Sequence, residues 1–264
     1  MATARMGKAT LENIMKTCIV TGCDIKYLPG VKALYNSIKQ NGNTDVDIIL
    51  LAHGEIEDFA DLPNDIRIIY NEETHVSPSG GEWKEQIPAM YSRVLIPRIL
   101  TEYDRALWLD ADTIVLKDLT PLLEIDLQGC TCAASLPAYM DRSLNTLHYQ
   151  LEEPHLYPEH RDLKALQAGV MLFDIAKWNE AGLNERVDQL LEDNVKFKFV
   201  VQGLLGMAVG GDFLELPYEW NTYGNWVNAV GLQNINILHF VGGIAESPWS
   251  HKHMLHQHIW EQYK

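Results

Sequence analysis

Two acids one residue apart, Asp110 and Asp112, close an apolar run in the segment Trp-Leu-Asp-Ala-Asp-Thr at residues 108–113. Carboxylates at i and i+2 converge on one hard cation where the chain bends, and their oxygens suit Mg²⁺ or Mn²⁺. The same pair can instead cap a turn or the start of a helix. His239 ends a second apolar run, residues 235–238, and precedes Phe-Val-Gly-Gly at 240–243, a turn whose backbone amides can approach an anion. As a third donor its imidazole favours Mn²⁺ over Mg²⁺; taken alone, such a histidine also reads as a hydrogen-bonded core side chain.

The elements that must position these residues follow from periodicity. Short apolar runs at residues 16–22, 46–52, 66–70 and 105–109 read as strands, and residues 28–40 and 89–100 carry apolar side chains at helical spacing despite Pro97. Strands alternating with helices predict an α/β fold, with a mainly parallel sheet covered on both faces and a ligand crevice at the carboxyl ends of its strands. Farther on, residues 168–174 read as a strand, 176–193 as a helix and 235–240 as a last strand. Residues 71–85, with Ser77, Pro78, Ser79, Gly80 and Gly81, form a loop that either covers the crevice as a lid or lies plainly on the surface.

Composition narrows the partners. The chain has 264 residues, enough for one sizeable core, and is expected to be a single domain over 1–264, with a flexible extension at 1–15 and a terminal helix at 250–264. Its net charge of −15 argues against nucleic acid, whose binding needs neutralised phosphates. A small polyphosphate remains compatible, because a divalent cation supplies positive charge locally. No leader-like or membrane-spanning apolar stretch is visible, so the expectation is a cytoplasmic protein. Cys18, Cys23, Cys130 and Cys132 lack metal-site or disulfide-framework spacing and read as reduced core thiols. His251, His253, His256 and His258 lie among Met254, Leu255, Ile259 and Trp260, which favours a packed terminal helix over a metal tract.

The segment L-W-L-D-A-D-T-I-V-L-K-D-L-T-P-L-L at residues 107–123 resembles the D-x-D region of glycosyltransferase family 8, which includes glycogenins and bacterial lipopolysaccharide galactosyl- and glucosyltransferases. Three further motifs follow in the family's order: A-G-V-M-L-F-D-I-A-K-W at 168–178, Q-G-L-L at 202–205 and H-F-V-G-G-I-A-E-S-P-W at 239–249, so the resemblance covers roughly residues 17–249. It implies a GT-A fold, a UDP-sugar donor, Mn²⁺ with Mg²⁺ as the alternative, and transfer to a hydroxyl acceptor with retention of configuration. By the family pattern Asp110, Asp112 and His239 hold the metal. Arg93 falls near the donor sugar and phosphates, Tyr27 where an aromatic ring stacks on uracil, and Asp24 where a polar group reads base or ribose. Gln202 matches the glutamine near the reacting anomeric carbon, and Thr21, Gly22, Ala111, Gln167, Gly242 and Lys252 complete the expected donor site.

Several positions depart from that pattern. Val201 stands where family members carry an aspartate, Gln167 where they carry asparagine, and Leu136 near a further sugar-binding acid for which Asp141 is the nearest substitute. Ser247 occupies the place of a lysine that contacts the departing diphosphate; Lys252 or His251 are candidate replacements. Losing such a cation costs a few kcal/mol of transition-state stabilisation. The departures keep open a UDP-sugar-binding protein with weak or no turnover. The h-h-h-D-x-D-x-T pattern also fits a haloacid-dehalogenase-like phosphatase, although about a hundred residues precede the motif. The acceptor is left open and includes one of the chain's own 11 tyrosines, as is homo-oligomerisation.

Overall fold

The computed structural model describes residues 15–70, 87–137, 145–242, 247–250 and 254–264. Residues 1–14 of the segment read as an N-terminal extension, the lid-like loop, and Asp141, His251, Lys252 and His253 lie outside the described residues.

The chain runs β1 Thr17–Asp24, α1 Leu28–Asn41, β2 Asp47–His53, β3 Ile66–Tyr70, α2 Ile87–Ile99, β4 Arg105–Leu109, β5 Thr113–Val115, α3 Thr120–Leu123 and β6 Cys132–Ser135. It continues through α4 Leu147–Gln150, β7 Gln167–Asp174, α5 Ile175–Glu180, α6 Leu183–Glu192, α7 Val200–Val209, β8 Leu214–Glu215, β9 Thr222–Tyr223, α8 Val227–Val230, β10 Ile237–His239 and α9 Gln257–Trp260. Seven strands form one sheet in the order β3-β2-β1-β4-β7-β6-β8, and β5-β10-β9 form a second, smaller one. In the large sheet β3, β2, β1 and β4 are parallel, and β7 runs antiparallel to both β4 and β6. The mainly parallel α/β fold is therefore as expected.

Burial on both faces explains why the central strands read as continuous apolar runs. Along β4, Ala106 and Trp108 pack into one core layer with α2, α5, α6 and α7, whereas Leu107 and Leu109 enter the opposite layer with α1. A third cluster, including Ile114, Leu238, Phe240 and Trp260, lies under the small sheet. Helix α1 joins the two sheets: Val115 donates its backbone N–H to Ser37 Oγ at 3.0 Å, and its carbonyl accepts from Asn41 Nδ2 at 2.9 Å. These bonds satisfy an edge strand that would otherwise bury unpaired backbone groups.

Three expectations change. The single helix over 176–193 is two helices, because the chain turns at Ala181 and at Gly182, whose φ is +66°. The last strand is shortened to Ile237–His239, with Ile235 and Phe240 packing as core residues beyond its ends. Within 250–264 the described helix is the single turn Gln257–Trp260.

No disulfide links the cysteines: Cys18, Cys23 and Cys132 are buried and Cys130 is half-buried. Burial pushes the Cys18 and Cys132 thiols up to about 12, so they stay neutral and unreactive in the native protein. Iodoacetamide is expected to modify Cys130 well ahead of the other three, which react only on unfolding; simultaneous loss of all four thiols, read by mass spectrometry, would contradict this packing.

Candidate metal and donor site

Asp110 follows the last residue of β4 and extends its ladder, donating its N–H to the Gly169 carbonyl at 2.8 Å. The chain then turns: the Asp110 carbonyl accepts from Thr113 N at 3.0 Å and from Thr113 Oγ1 at 2.7 Å. This tight turn aims both carboxylates at one point. Thr113 begins β5, which pairs with β10 so that Thr113 lies opposite His239, and Asp112 accepts the Phe240 N–H at 2.9 Å. Residues 127 positions apart in the chain are thereby fixed by adjacent rungs of one ladder.

Suitable ligand atoms of Asp110, Asp112 and His239 all lie within 4.8 Å of one another. His239 Nε2 is 3.2 Å from Asp112 Oδ1 and 3.7 Å from Asp110 Oδ2. Burial disfavours the charged imidazole, but the charge and hydrogen bond of Asp112 and the charge of Asp110 outweigh it and hold its pKa above the ordinary histidine value; Arg93 acts against them. Two carboxylates and an imidazole nitrogen are a donor set for a hard to borderline divalent ion, and these three residues fit one.

Asp110 is oriented from behind. Its Oδ1 accepts from Trp108 Nε1 at 2.7 Å and pairs with Arg93 Nη2 at 2.7 Å. Arg93 is buried over the Trp108 ring, 4.8 Å from the ring centroid, and donates to the carbonyls of Ala168 at 2.7 Å and Met90 at 3.1 Å. With Oδ1 held on this side, Oδ2 turns toward His239. Glycines make the approach possible. A Cβ on Gly169 would lie 2.3 Å from His239 Cε1 and 2.8 Å from Asp110 Oδ2, and one on Gly30 would lie 2.4 Å from the Ala111 carbonyl.

A cavity of about 500 Å³ opens beside this cluster, within the range of small-ligand sites. It is lined by Gly22, Asp24, Tyr27, Arg93, Asp110, Ala111, Asp112, Gln167, Gln202, His239 and Gly242, so the structure brings these sequence candidates together. Thr21 is not among them: it faces Val31, Leu34 and Ile48 on the other side of β1, and its buried hydroxyl finds no partner among the described residues. Asp24 caps the turn after β1, accepting from the amides of Lys26 at 3.0 Å and Tyr27 at 3.3 Å. Tyr27 meets Trp249 edge-on, with ring centroids 5.4 Å apart, and Trp249 Nε1 donates to the Lys26 carbonyl. Burial, then the charges of Asp112, Asp110 and Asp24, keep the Tyr27 phenol protonated.

The wall beside Gln202 is more apolar than the family pattern implies. Lys198, Phe199, Val200 and Val201 line it, and Val201 is 1% exposed. Sequence reasoning passed over Trp108 as a donor, Gly169 as a spacer and Asn221, whose Oδ1 lies 2.8 Å from His239 Nδ1. The first two sat inside motifs already noted; Asn221 follows a 3₁₀ turn and carries no spacing signal. Replacing Gly169 by Ala is expected to weaken Mn²⁺ binding, followed by electron paramagnetic resonance, by more than tenfold while costing about 1–3 kcal/mol of stability in urea. Unchanged Mn²⁺ affinity would show that the spacing at Gly169 does not shape the cluster.

Comparison with known proteins fits this geometry. The model of glycosyl transferase family 8 matches residues 18–253. Lipopolysaccharide 1,2-glucosyltransferase of Escherichia coli K12 is 28% identical over 220 residues, covering 77% of this chain and 61% of that protein. General stress protein A of Bacillus subtilis is 26% identical over 181 residues, 61% of this chain and 59% of that protein. The chain thus spans about three-fifths of the length of these two relatives. Among solved structures, the galactosyltransferase LgtC in complex with donor and acceptor sugar analogues superposes with a TM-score of 0.70 at 17% identity, covering 93% of this chain and 94% of that one. The bifunctional glycosyltransferase WbbM gives a TM-score of 0.73 at 17% identity, covering 97% and 51%. At such identities the superpositions speak for the fold, which is that of GT-A glycosyltransferases. With 18–253 of its 264 residues matched, this chain belongs to glycosyl transferase family 8.

Proposed function

We propose that this protein transfers a sugar from a UDP-sugar to a hydroxyl acceptor with retention of configuration, and that Asp110, Asp112 and His239 hold the Mn²⁺ that meets the donor's diphosphate. The convergence of those three side chains beside a cavity that Gln202 also lines is the observation that carries this reading. The phosphatase alternative finds no support in the family to which the chain belongs.

When bound, the cation supplies Lewis-acid charge to the diphosphate. The protein's own groups do the rest. Arg93 holds Asp110 and adds a buried positive charge at the same edge of the cavity. Tyr27 presents an aromatic ring beside Asp24 at the end of β1, a platform suited to a uracil base. The bond from the anomeric carbon to the β-phosphate oxygen breaks with its electron pair passing to UDP. The acceptor oxygen bonds to that carbon on the same face and gives its proton to the departing phosphate. Gln202, in the first turn of α7, lines the same cavity, and its assigned role is to stabilise the oxocarbenium-like sugar between those events. Among the described residues, Val200 and Val201 bring no hydrogen-bonding side chain to this wall, so either the donor sugar is unusual or its hydroxyls are met by other residues.

UDP release from a panel of UDP-sugars, with Mn²⁺ or with EDTA, tests the proposal. Turnover is expected only with the metal, and Asp112→Asn is expected to lower it by about 10²–10³-fold, on the scale of a lost charge-stabilising group. EDTA-insensitive release, or undiminished release by the variant, would overturn it.

A further inference from the structure

His239 does not end at its ring. Its Nδ1 lies 2.8 Å from Asn221 Oδ1, and the Asn221 amide nitrogen donates to Gln167 Oε1 and, at 3.1 Å, to Ser135 Oγ. Gln167 Oε1 also accepts the Gly169 backbone N–H at 2.7 Å. All of these residues are buried, and Asn221 is 1% exposed.

The direction of this chain is set at its far end. A backbone N–H can only donate, so Gln167 must present its carbonyl oxygen to Gly169. The same oxygen then demands a donor from Asn221, which turns the Asn221 carbonyl toward His239. That carbonyl can only accept, so Nδ1 must carry the proton. Reversing any member would set two acceptors or two donors face to face in a buried site, at a cost of about 1–3 kcal/mol per unsatisfied group. Without this constraint the neutral ring would favour the other tautomer, because the Asp112 carboxylate at 3.2 Å from Nε2 is the stronger acceptor.

We infer that Asn221, oriented by Gln167 and the Gly169 amide, is a positioning residue that fixes His239 as the Nδ1–H tautomer and so keeps the Nε2 lone pair directed at Asp110 and Asp112. The inference rests on the metal reading for its purpose, not for its geometry. Gln167 acquires a role different from the donor contact expected of it: its carbonyl end is engaged by Gly169 and Asn221 and supports the metal cluster from behind.

The ¹⁵N spectrum of histidine-labelled, metal-free protein at alkaline pH, where the ring is neutral, reads the tautomer directly. The unsubstituted protein is expected to show a protonated Nδ1 and a pyridine-like Nε2. Asn221→Leu should move the proton to Nε2, opposite Asp112, and weaken Mn²⁺ binding by about 10–100-fold, the usual effect of losing such a partner. Asn221→Asp keeps an acceptor against Nδ1 and should hold the tautomer and bind Mn²⁺ within a few-fold of the parent, even though it loses the donor to Gln167. An Nε2–H ring in the unsubstituted protein overturns the inference whether or not either variant folds. So does a folded Asn221→Leu protein that keeps the parent tautomer. Failure of the unsubstituted protein to bind Mn²⁺, with or without UDP, would instead count against the metal reading, while its tautomer still decides this one.

Discussion

The tight turn from Asp110 to Thr113 brings two carboxylates and an imidazole together at the edge of a buried sheet, and the surrounding structure compensates the repulsion this creates. Unit charges within 4.8 Å repel by roughly 3–4 kcal/mol at the effective dielectric typical of proteins. Arg93 and Trp108 meet one side of that charge through Asp110 Oδ1, and His239 meets the other. Each support comes from a different element: α2 brings Arg93, β4 brings Trp108, and β10 brings His239. The cluster therefore exists only when the helix layer and both sheets are in place. A cation at this point would relieve the same repulsion, which is the physical sense in which the fold is prepared for one.

Close approach is the second constraint. The small sheet must dock so that His239 reaches the end of β4, and Gly169 removes a side chain that would block it, while Gly30 lets α1 approach the Ala111 carbonyl in the turn. Ser37 and Asn41 of α1 then lock β5 by satisfying its edge. The same glycine that admits the histidine ring also supplies, through its N–H, the fixed donor from which the Gln167, Asn221 and His239 hydrogen bonds take their direction.

The parts of this arrangement that were legible in the sequence are those carried by local pattern. Strands β3 and β4 begin and end where the apolar runs do; β4 is buried on both faces along its whole length, whereas β3, at the sheet edge, exposes Arg67. The acid pair was visible because carboxylates seldom follow such a run without a reason. The break at Gly182 was hidden because apolar residues flank it on both sides, Trp178 before and Leu183 and Val187 after, and all three join one core layer. Thr21 lies one residue from Gly22, yet strand alternation sends its side chain to the opposite face. Asn221 was illegible because its role depends on the pairing of β9 with β10 and on a glutamine 54 residues away. No periodicity encodes such a contact.

The central claim is that one cation joins the protein's three ligands to the donor's diphosphate. Pulsed electron paramagnetic resonance of Mn²⁺ bound to the protein in the presence of UDP measures this most directly. The account predicts a ¹⁴N coupling from the His239 imidazole and a ³¹P coupling from UDP on the same ion, with the nitrogen coupling lost in His239→Ala. Protein-bound Mn²⁺ showing phosphorus coupling but no imidazole nitrogen would contradict it.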